Sequence, residues 1–240
     1  MSYHQPAEIR SFAFGEPDGD LAGTALIWDG GFCSSFGPPA QVEGDAPDED
    51  WRLAGAGFEL TFAPAGEVAE LELANAGIRS LHQLAHVHGT MLCDDGEHAV
   101  DCAGLRSRRF GALDSKHFDA VRVVSAWFGG EDGLAVLAAR PRRTRGHDTE
   151  LLSGVLLEGG LPVPVTEPRL SSTYAADGVP LRVGLELWLG EDEEQYARRA
   201  AGEAIGRGAV SEDPPLRSEL LRWHMRGREG VGVYDLLRAR

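Results

Sequence analysis

The chain has 240 residues, with 23 lysines and arginines against 38 aspartates and glutamates, and a net charge of −15. This length permits one large all-β domain or two small ones, with a hydrophobic core that needs no disulfide or metal to support it. The negative charge would repel a phosphate backbone or an anionic bilayer, which argues against nucleic acid and membranes as partners.

The N-terminal segment and the cysteines indicate where in the cell the protein is located. The sequence MSYHQPAEIRSFAFGEPDGD lacks a basic start followed by an apolar run, and no stretch approaches the roughly 18 apolar residues of a membrane span. Cys33, Cys93 and Cys102 are odd in number and do not suggest a disulfide framework. We therefore expect a cytoplasmic protein.

Short runs with a period of two, separated by Gly, Pro or Asp-Gly, dominate the chain. This alternation is typical of β-strands, and about a dozen such strands predict an antiparallel barrel or sandwich. The runs are FELTFAP, EVAELELA, FDAVRVVSAWF, LAVLAAR, TELLSGVLLEGG, RLSSTYAADGVPLRVGLELWL and ELLRWHMRGREGVGVYDLL. The fold class is therefore predicted to be all-β.

The segment from His86 to Gly111 predicts a β-hairpin. Asp95-Gly96 is typical of a type I′ turn, and a turn centred there would place Cys93 opposite His98. Alternation then sorts the side chains into two faces. One face would hold Met91, Cys93, His98, Val100 and Cys102, and the other His86, His88, Thr90, Leu92, Ala99 and Asp101. The two cysteines would lie roughly 13 Å apart, too far for a disulfide.

His86 and His88 are candidate ligand-binding residues because alternate strand positions point their imidazoles the same way. With Asp101 across the hairpin they could hold a metal ion. The cupin motif carries a glutamate four or five residues after such a pair, where this chain has Leu92 and Cys93. The alternative is a pair of strand histidines that hydrogen-bond to neighbours or face solvent, and we expect no metal and no cofactor.

The run FDAVRVVSAWF predicts a central strand. It is apolar on both faces, with Val124 and Ala126 on one and Val123 and Trp127 on the other. The GGEDG turn that follows, and then LAVLAAR, complete a hairpin.

One segment departs from the period of two. GEDEEQYARRAAGEAIGRG has acidic residues in its first turn, Glu194 four residues before Arg198, and Gly206 at the position of a C-terminal cap. This pattern predicts a single amphipathic helix at about residues 191–205.

The succession HVHGT, DDGEHAVD, GLRSRRFG, SAWF and RGREGVGVYDLL resembles the calycin-related proteins of the carotenoid hydratase and tocopherol cyclase type, over about residues 58 to 240. The family's characteristic segment reads Gly-x-Arg-Asp-His-Ser-Trp-Gly-x-Arg-Asp. Gly104, Arg106, Gly111 and Asp114 match it. The five departures are Ser107, Arg108, Arg109, Phe110 and Leu113.

These departures alter the chemistry that the resemblance implies. Ser107 and Arg108 cannot replace an Asp-His pair in proton transfer, because a hydroxyl is a very weak acid and a guanidinium stays protonated. Acid catalysis would then fall to Asp114 or His117, unless both are ordinary loop residues.

The arginines of this segment are candidates for anion binding, since a guanidinium offers a planar fork to a carboxylate or phosphate. Alternation would point Arg106 and Arg108 the same way. The alternative to anion binding is that both arginines form salt bridges with acidic neighbours. Trp127 would line an apolar pocket or belong to the core.

The resemblance implies a calycin-like protein with two barrel-like halves, residues 1–110 and 111–240, that meet near residues 104 to 117. It also implies a cavity for a hydrophobic small molecule, such as an isoprenoid, polyketide or fatty-acid-like compound. The chain would catalyse cofactor-free cyclisation or hydration of this molecule. A non-catalytic carrier and a His-ligated metalloenzyme are the alternatives, and the sequence leaves the oligomeric state open.

Overall fold

The computed structural model describes residues 5–19, 21–142, 150–190 and 197–239. Strands make up almost all of its regular structure, together with a short 3₁₀ turn at Ala74–Ala76. The first nine strands are β1 (Glu8–Gly15), β2 (Ala22–Trp28), β3 (Gly31–Ser34), β4 (Pro39–Glu43), β5 (Trp51–Gly55), β6 (Phe58–Pro64), β7 (Ala69–Leu73), β8 (Ile78–Cys93) and β9 (Gly96–Phe110). The other nine are β10 (Phe118–Trp127), β11 (Gly133–Pro141), β12 (Leu151–Glu158), β13 (Leu161–Val165), β14 (Glu167–Tyr174), β15 (Pro180–Trp188), β16 (Arg198–Ser211), β17 (Leu216–Met225) and β18 (Arg228–Arg238).

The strands form two antiparallel sheets, each curled into a nearly closed barrel. The first sheet runs β3-β2-β1-β9-β8-β6-β5-β4, with β7 paired to β8, and the second runs β13-β12-β11-β10-β18-β17-β16-β15-β14. The predicted all-β, barrel-like fold is therefore confirmed. Among the described residues, no helix is long and apolar enough to cross a membrane.

Three apolar clusters form the core. One fills the first barrel with aromatic residues such as Phe12, Phe14 and Phe62, and a second fills the other barrel around Trp223 and Tyr234. The third contains residues of both sheets and forms the layer between the barrels. Apolar side chains pack in both barrel interiors, and a group of polar residues is buried between the barrels.

The central strand β10 follows the predicted pattern. It pairs with β11 on one side and β18 on the other. Val124 and Ala126 face the interior of the second barrel, whereas Val123 and Trp127 face the layer between the barrels. The strand is apolar on both faces because both faces are buried.

The hairpin β8–β9 forms as predicted, but its pairing is shifted. Cys93 lies opposite Gly96, and His98 lies opposite Met91 rather than Cys93. The tight turn therefore consists of Asp94 and Asp95 instead of Asp95 and Gly96. The shift moves each partner by two residues, so the predicted division into two faces is preserved. All three cysteines are free.

The predicted helix at about 191–205 is wrong where the structure can be compared with it. Residues 191–196 lie outside the described residues, and residues 198–205 belong to the strand β16. In β16 the buried Ala200 and Gly202 alternate with the exposed Arg199, Ala201 and Glu203, which is a period of two. Hydrogen bonding to β15 and β17 outweighs the helical propensity of these alanines and charged residues.

The linker between the two sheets lies at residues 111–117. The first sheet ends at Phe110 and the second begins at Phe118. A division into domains at residues 1–110 and 111–240 stays a prediction.

Candidate functional site

A group of polar residues is buried between the two barrels. We call it the inter-barrel polar cluster, and it consists of Ser11, Thr24, Ser80, His82, Ser107, Arg109, Ser125, Ser218 and Asp235. Eight of the nine are at most 5% exposed, and Asp235 is half-buried. Buried polar groups are costly unless they are paired or functional, so the cluster is the first place to look for a site.

Strand pairing brings the members of the first barrel together. Ser11 of β1 and His82 of β8 both lie opposite Ser107 of β9. Ser80 of β8 lies opposite Arg109 on the same face. The second barrel supplies Ser125 from β10, and Ser218 and Asp235 from the paired strands β17 and β18.

Arg109 has the least satisfied side chain of the cluster. It is 4% exposed, and its Nη1 and Nη2 atoms have no hydrogen-bond partner. Burial lowers the pKa of its guanidinium to about 10, an effect that the nearby Asp235 opposes. The side chain therefore stays cationic near neutral pH and holds unused N–H donors.

Asp235 is the acid of the cluster. Burial raises its pKa to about 6, although hydrogen bonds from Ser218 and Ser11 and the charge of Arg109 act in the opposite direction. The Ser218 hydroxyl contacts Asp235 Oδ1 and lies 2.7 Å from the Thr24 hydroxyl. A carboxyl that titrates near pH 6 can both give and take a proton under physiological conditions.

His82 links the same layer to the second barrel. Its Nε2 lies 2.7 Å from the Ser80 hydroxyl, and its Nδ1 lies 3.2 Å from the Ser125 hydroxyl. Burial lowers the pKa of the imidazole to about 3. The ring is therefore neutral near pH 7 and offers one donor and one acceptor nitrogen.

A cavity of about 20 Å³ lies between Arg109 and Asp235, with Ser11 and Ser107 as the other polar lining residues. Its apolar lining consists of Ile9, Leu26, Val121, Val123, Leu216 and Leu237. Such a volume accommodates about one water molecule, which needs polar partners of the kind found here.

The predicted ligand-binding residue Arg106 lies on the opposite face of β9, inside the first barrel. Its Nε and Nη2 donate to Gln83 Oε1 at 3.0 and 2.7 Å. Its Nη1 donates to the carbonyls of Glu49 and Phe62, and its guanidinium lies 4.7 Å from the Trp51 ring centroid. These partners occupy its donors, so its placement is that of a structural residue.

Arg108 points the same way as Arg106, as predicted from alternation, and ends in salt bridges. Its Nε and Nη2 lie 2.7 and 3.1 Å from the two carboxylate oxygens of Glu8, and its Nη1 contacts Asp45. The proposed role in ligand binding stays a prediction, and the geometry shows the salt-bridge alternative.

His86 and His88 lie on the exposed face of β8. Their ring centroids are 5.7 Å apart, and His86 Nε2 lies 2.6 Å from Asp101 Oδ1. Among the described residues, the three-residue group whose donor atoms lie close enough for a metal ion is another one, formed by Cys93, Asp95 and His98. The placement of the two histidines is that of solvent-facing residues.

Trp127 lies in the layer between the barrels, 1% exposed. Its Nε1 donates to the carbonyl of Gly15 at 2.9 Å, which fixes β10 of the second barrel to β1 of the first. The residue is therefore part of the core near the inter-barrel polar cluster, and it does not line the small cavity.

The two predicted acids lie in the exposed linker. Asp114 Oδ2 and His117 Nδ1 are 2.7 Å apart, and Asp114 also accepts a hydrogen bond from the Lys116 backbone N–H. The hydrogen bond from His117 lowers the pKa of Asp114, so its carboxyl is ionised near neutral pH and has no proton to donate there. Both residues lie outside the lining of the small cavity, and their catalytic role stays a prediction.

Sequence reasoning missed Asp235 and His82. Asp235 interrupts an otherwise apolar strand face within VGVYDLL, and that interruption is the signal that could have identified it. The face of β8 that carries His82 also carries Ser80 and His86, so it gives no such signal. Arg109 was recognised as a possible anion binder, but alternation assigns it to the other face from Arg106 and Arg108.

Comparison with known proteins gives a fold but no family. No protein-family model matches the sequence, and no curated protein matches it. The structure of kievitone hydratase from Nectria haematococca is similar, with a TM-score of 0.58, 11% identity, and coverage of 98% of this chain and 89% of that chain. The specific carotenoid hydratase motif is not confirmed by any of these comparisons.

Two further structures have the same fold. CghA with Sch210972 has a TM-score of 0.51 and 13% identity, covering 97% of this chain and 89% of that chain. CghA without this compound has a TM-score of 0.52 and 14% identity, covering 97% and 88%. The chain is thus similar in fold, over nearly its whole length, to barrel proteins that include a hydratase.

Proposed function

We propose that this protein binds a hydrophobic small molecule with a polar end at the inter-barrel polar cluster and catalyses its cofactor-free hydration or cyclisation. One observation carries the proposal: a buried guanidinium with two unused N–H donors, Arg109, lies beside a buried carboxyl with a raised pKa, Asp235. The similarity in fold to a kievitone hydratase supports the reaction class.

Arg109 holds the polar end of the substrate. Its unused Nη1 and Nη2 donors suit a carboxylate or an enolate oxygen, which accepts two parallel hydrogen bonds. Apolar residues such as Ile9 and Leu216 surround this position, so the hydrocarbon part of the molecule is removed from water. Such an anchor orients the substrate against Asp235 and reduces the entropic cost of reaching the reactive geometry.

Asp235 transfers the proton. In hydration, its carboxyl protonates one carbon of a double bond, a water molecule adds its oxygen to the other carbon, and the proton that this water releases returns to the Asp235 carboxylate. One water is added, and the enzyme ends as it began. In cyclisation, a second double bond attacks in place of water, and the proton lost from the product returns to Asp235.

The small cavity favours hydration. It accommodates about one water molecule between Arg109 and Asp235, where the nucleophile of hydration has to be. A substrate reaches this position only when side chains such as Leu26 and Leu216 move apart, and we expect ligand binding to alter amide hydrogen exchange in β2 and β17.

Geranic acid is a suitable probe because it combines a carboxylate with two isoprenoid double bonds. Incubation with the wild-type protein in ¹⁸O-labelled water should yield a product that has gained one labelled water, or an isomer of unchanged mass if cyclisation prevails. Asp235→Asn should abolish both products while binding of geranic acid persists. Asp114→Asn, which alters an exposed carboxyl of the linker, is the matched control and should leave turnover unchanged.

The alternative is a non-catalytic carrier, in which Arg109 anchors the same type of ligand and Asp235 only stabilises that guanidinium. Binding of geranic acid with no product from the wild-type protein would assign the carrier role. Turnover that survives Asp235→Asn but is lost in Asp114→Asn would contradict the assignment of the acid.

A further inference from the structure

The tip of the hairpin β8–β9 gathers three side chains that bind metals. We call them the hairpin-tip cluster: Cys93 at the end of β8, Asp95 in the turn and His98 in β9. One donor atom from each lies within 4.8 Å of the other two. No residue of this cluster belongs to the inter-barrel polar cluster, and none has a role in the proposed function.

The local backbone places these donors together. The register that puts Cys93 opposite Gly96 and Met91 opposite His98 leaves Cys93 and His98 on the same face of the hairpin, as diagonal neighbours. The two-residue turn holds Asp95 between them, and Asp95 Oδ1 lies 2.7 Å from His98 Nε2. In the observed register the turn carboxylate therefore lies beside the imidazole.

The distances are close to those that a metal ion requires. Zinc binds sulfur at about 2.3 Å and imidazole nitrogen or carboxylate oxygen at about 2.0–2.2 Å, so neighbouring tetrahedral ligands lie about 3.3–3.7 Å apart. The Asp95 and His98 donor atoms, now 2.7 Å apart, would separate slightly on binding the ion, and donor atoms that are up to 4.8 Å apart would approach each other by up to about 1 Å. A metal ion would replace the proton that Asp95 and His98 share and the proton of the thiol.

We propose that the hairpin tip binds one divalent transition-metal ion, with Cys93, Asp95 and His98 as protein ligands and a fourth position open to water. Thiolate and imidazole ligands favour zinc, cobalt, nickel or copper over magnesium and calcium, which prefer oxygen ligands. Asp95 is exposed and His98 is partly exposed, so the ion exchanges directly with solvent.

This site is separate from the proposed reaction centre. Along β9, Arg109 lies eleven residues after His98, a distance of up to about 36 Å at roughly 3.3 Å per residue. It also differs from the metal site that the sequence suggested, because His86, His88 and Asp101 lie on the opposite face of the hairpin. Failure of either proposal leaves the other unaffected.

Titration of the purified full-length chain with cobalt(II) tests the site. Tetrahedral cobalt bound to a thiolate gives visible d–d bands and a near-ultraviolet band from sulfur-to-cobalt charge transfer. We expect both, saturating at one equivalent and reversed by zinc. Cys93→Ser should remove the charge-transfer band, and Asp95→Asn and His98→Gln should each weaken cobalt binding more than about tenfold, since even outer-shell partners contribute that much to metal affinity.

The same hairpin offers a matched control for each ligand. Cys102→Ser, Asp94→Asn and His88→Gln alter neighbouring thiol, carboxylate and imidazole groups outside the cluster, and each should leave the cobalt spectrum unchanged. Circular dichroism reports whether every variant keeps the barrel fold. Absence of the charge-transfer band in the folded wild-type protein would overturn the proposal, and so would its persistence in Cys93→Ser or its loss in Cys102→Ser.

Discussion

Three arginines within four positions of β9 have three different environments. Arg106 is surrounded by protein acceptors inside the first barrel, Arg108 forms salt bridges at its edge, and Arg109 lies between the barrels with two unused donors. Because side chains alternate across a strand, a change of one position transfers a guanidinium from one buried compartment to another. The candidate site depends on this alternation.

The pKa of Asp235 predicts a pH dependence of stability. Its folded value of about 6 lies above the ordinary value of 3.8, so between these pH values the unfolded chain has lost a proton that the folded chain retains. This group alone should therefore lower the free energy of unfolding by about 1.4 kcal/mol per pH unit as pH rises from about 4 to about 6, about 3 kcal/mol in total, and the difference between the wild type and Asp235→Asn separates it from the opposite contribution of His82. Urea unfolding of Asp235→Asn should lack this component, and an identical pH profile in both proteins would argue against a buried, protonated Asp235.

His82 should act in the opposite direction. Its folded pKa of about 3 lies below the ordinary value of 6.5, so as pH falls below about 6.5 the unfolded chain takes up a proton that the folded chain does not. The free energy of unfolding should fall toward acid by about 1.4 kcal/mol per pH unit. Below about pH 6.5, the free energy of unfolding of His82→Gln should therefore depend less steeply on pH than that of the wild type. His88→Gln, on the exposed face of the same strand, should keep the wild-type dependence.

At the level of elements, β16 shows how a local pattern can mislead. Its alanines and charged residues favour a helix, but its alternate positions fit closely against β17. A Cβ atom on Gly202 would lie 2.7 Å from the Trp223 ring. The strand therefore needs a residue without a side chain at this position, whereas a helix would not.

Gly202→Ala distinguishes the two structures by the sign of its effect. In the strand, the added methyl group crowds Trp223 and should lower the free energy of unfolding by about 1–3 kcal/mol. In a helix, the same substitution should raise it by about 1 kcal/mol. Urea unfolding measures the difference, with Ala201→Ser on the exposed face as a control that should change stability by less than about 0.5 kcal/mol.

The hairpin β8–β9 shows what alternation can and cannot determine. Alternation correctly separated His86 and His88 from Cys93 and His98, because the two faces differ in burial. It could not fix the register, since moving the turn by one residue preserves both faces. Both the predicted and the observed registers keep Cys93 and His98 on one face, and the contact of Asp95 with His98 depends on the conformation of the turn, which alternation does not determine.

At the level of the whole molecule, local patterns predicted an antiparallel barrel or sandwich and the family resemblance implied two barrel-like halves, but neither showed how the barrels meet. The central strand β10 was recognisable from its sequence alone. The approach of Asp235 to Arg109 was not, because it depends on the pairings β1–β9 and β10–β18 and on the contact between two sheets. A single sequence contains no signal for contacts between residues that are so far apart along the chain.

The same reasoning explains why the predicted acids lie apart from the inter-barrel polar cluster. Asp114 and His117 lie near the point where the halves were expected to meet, and the linker does lie there along the chain. The barrels, however, contact each other through the faces of β1, β2, β3, β7, β8 and β9 on one side and of β10, β11, β12, β16, β17 and β18 on the other. The inter-barrel polar cluster lies on those faces, and the catalytic role of the two linker residues stays a prediction.

The central claim is that Arg109 anchors a ligand between the barrels. Fluorescence titration with cis-parinaric acid, a polyunsaturated fatty acid with a carboxylate end, tests it most directly in the wild-type protein, Arg109→Gln and Arg108→Gln. The account predicts saturable binding to the wild type, unchanged affinity in Arg108→Gln and an affinity about 10- to 100-fold weaker in Arg109→Gln, the effect of losing a charge-assisted hydrogen bond of about 1.5–3 kcal/mol. Equal affinity of Arg109→Gln and the wild type, or no saturable binding to the folded wild type, would contradict it.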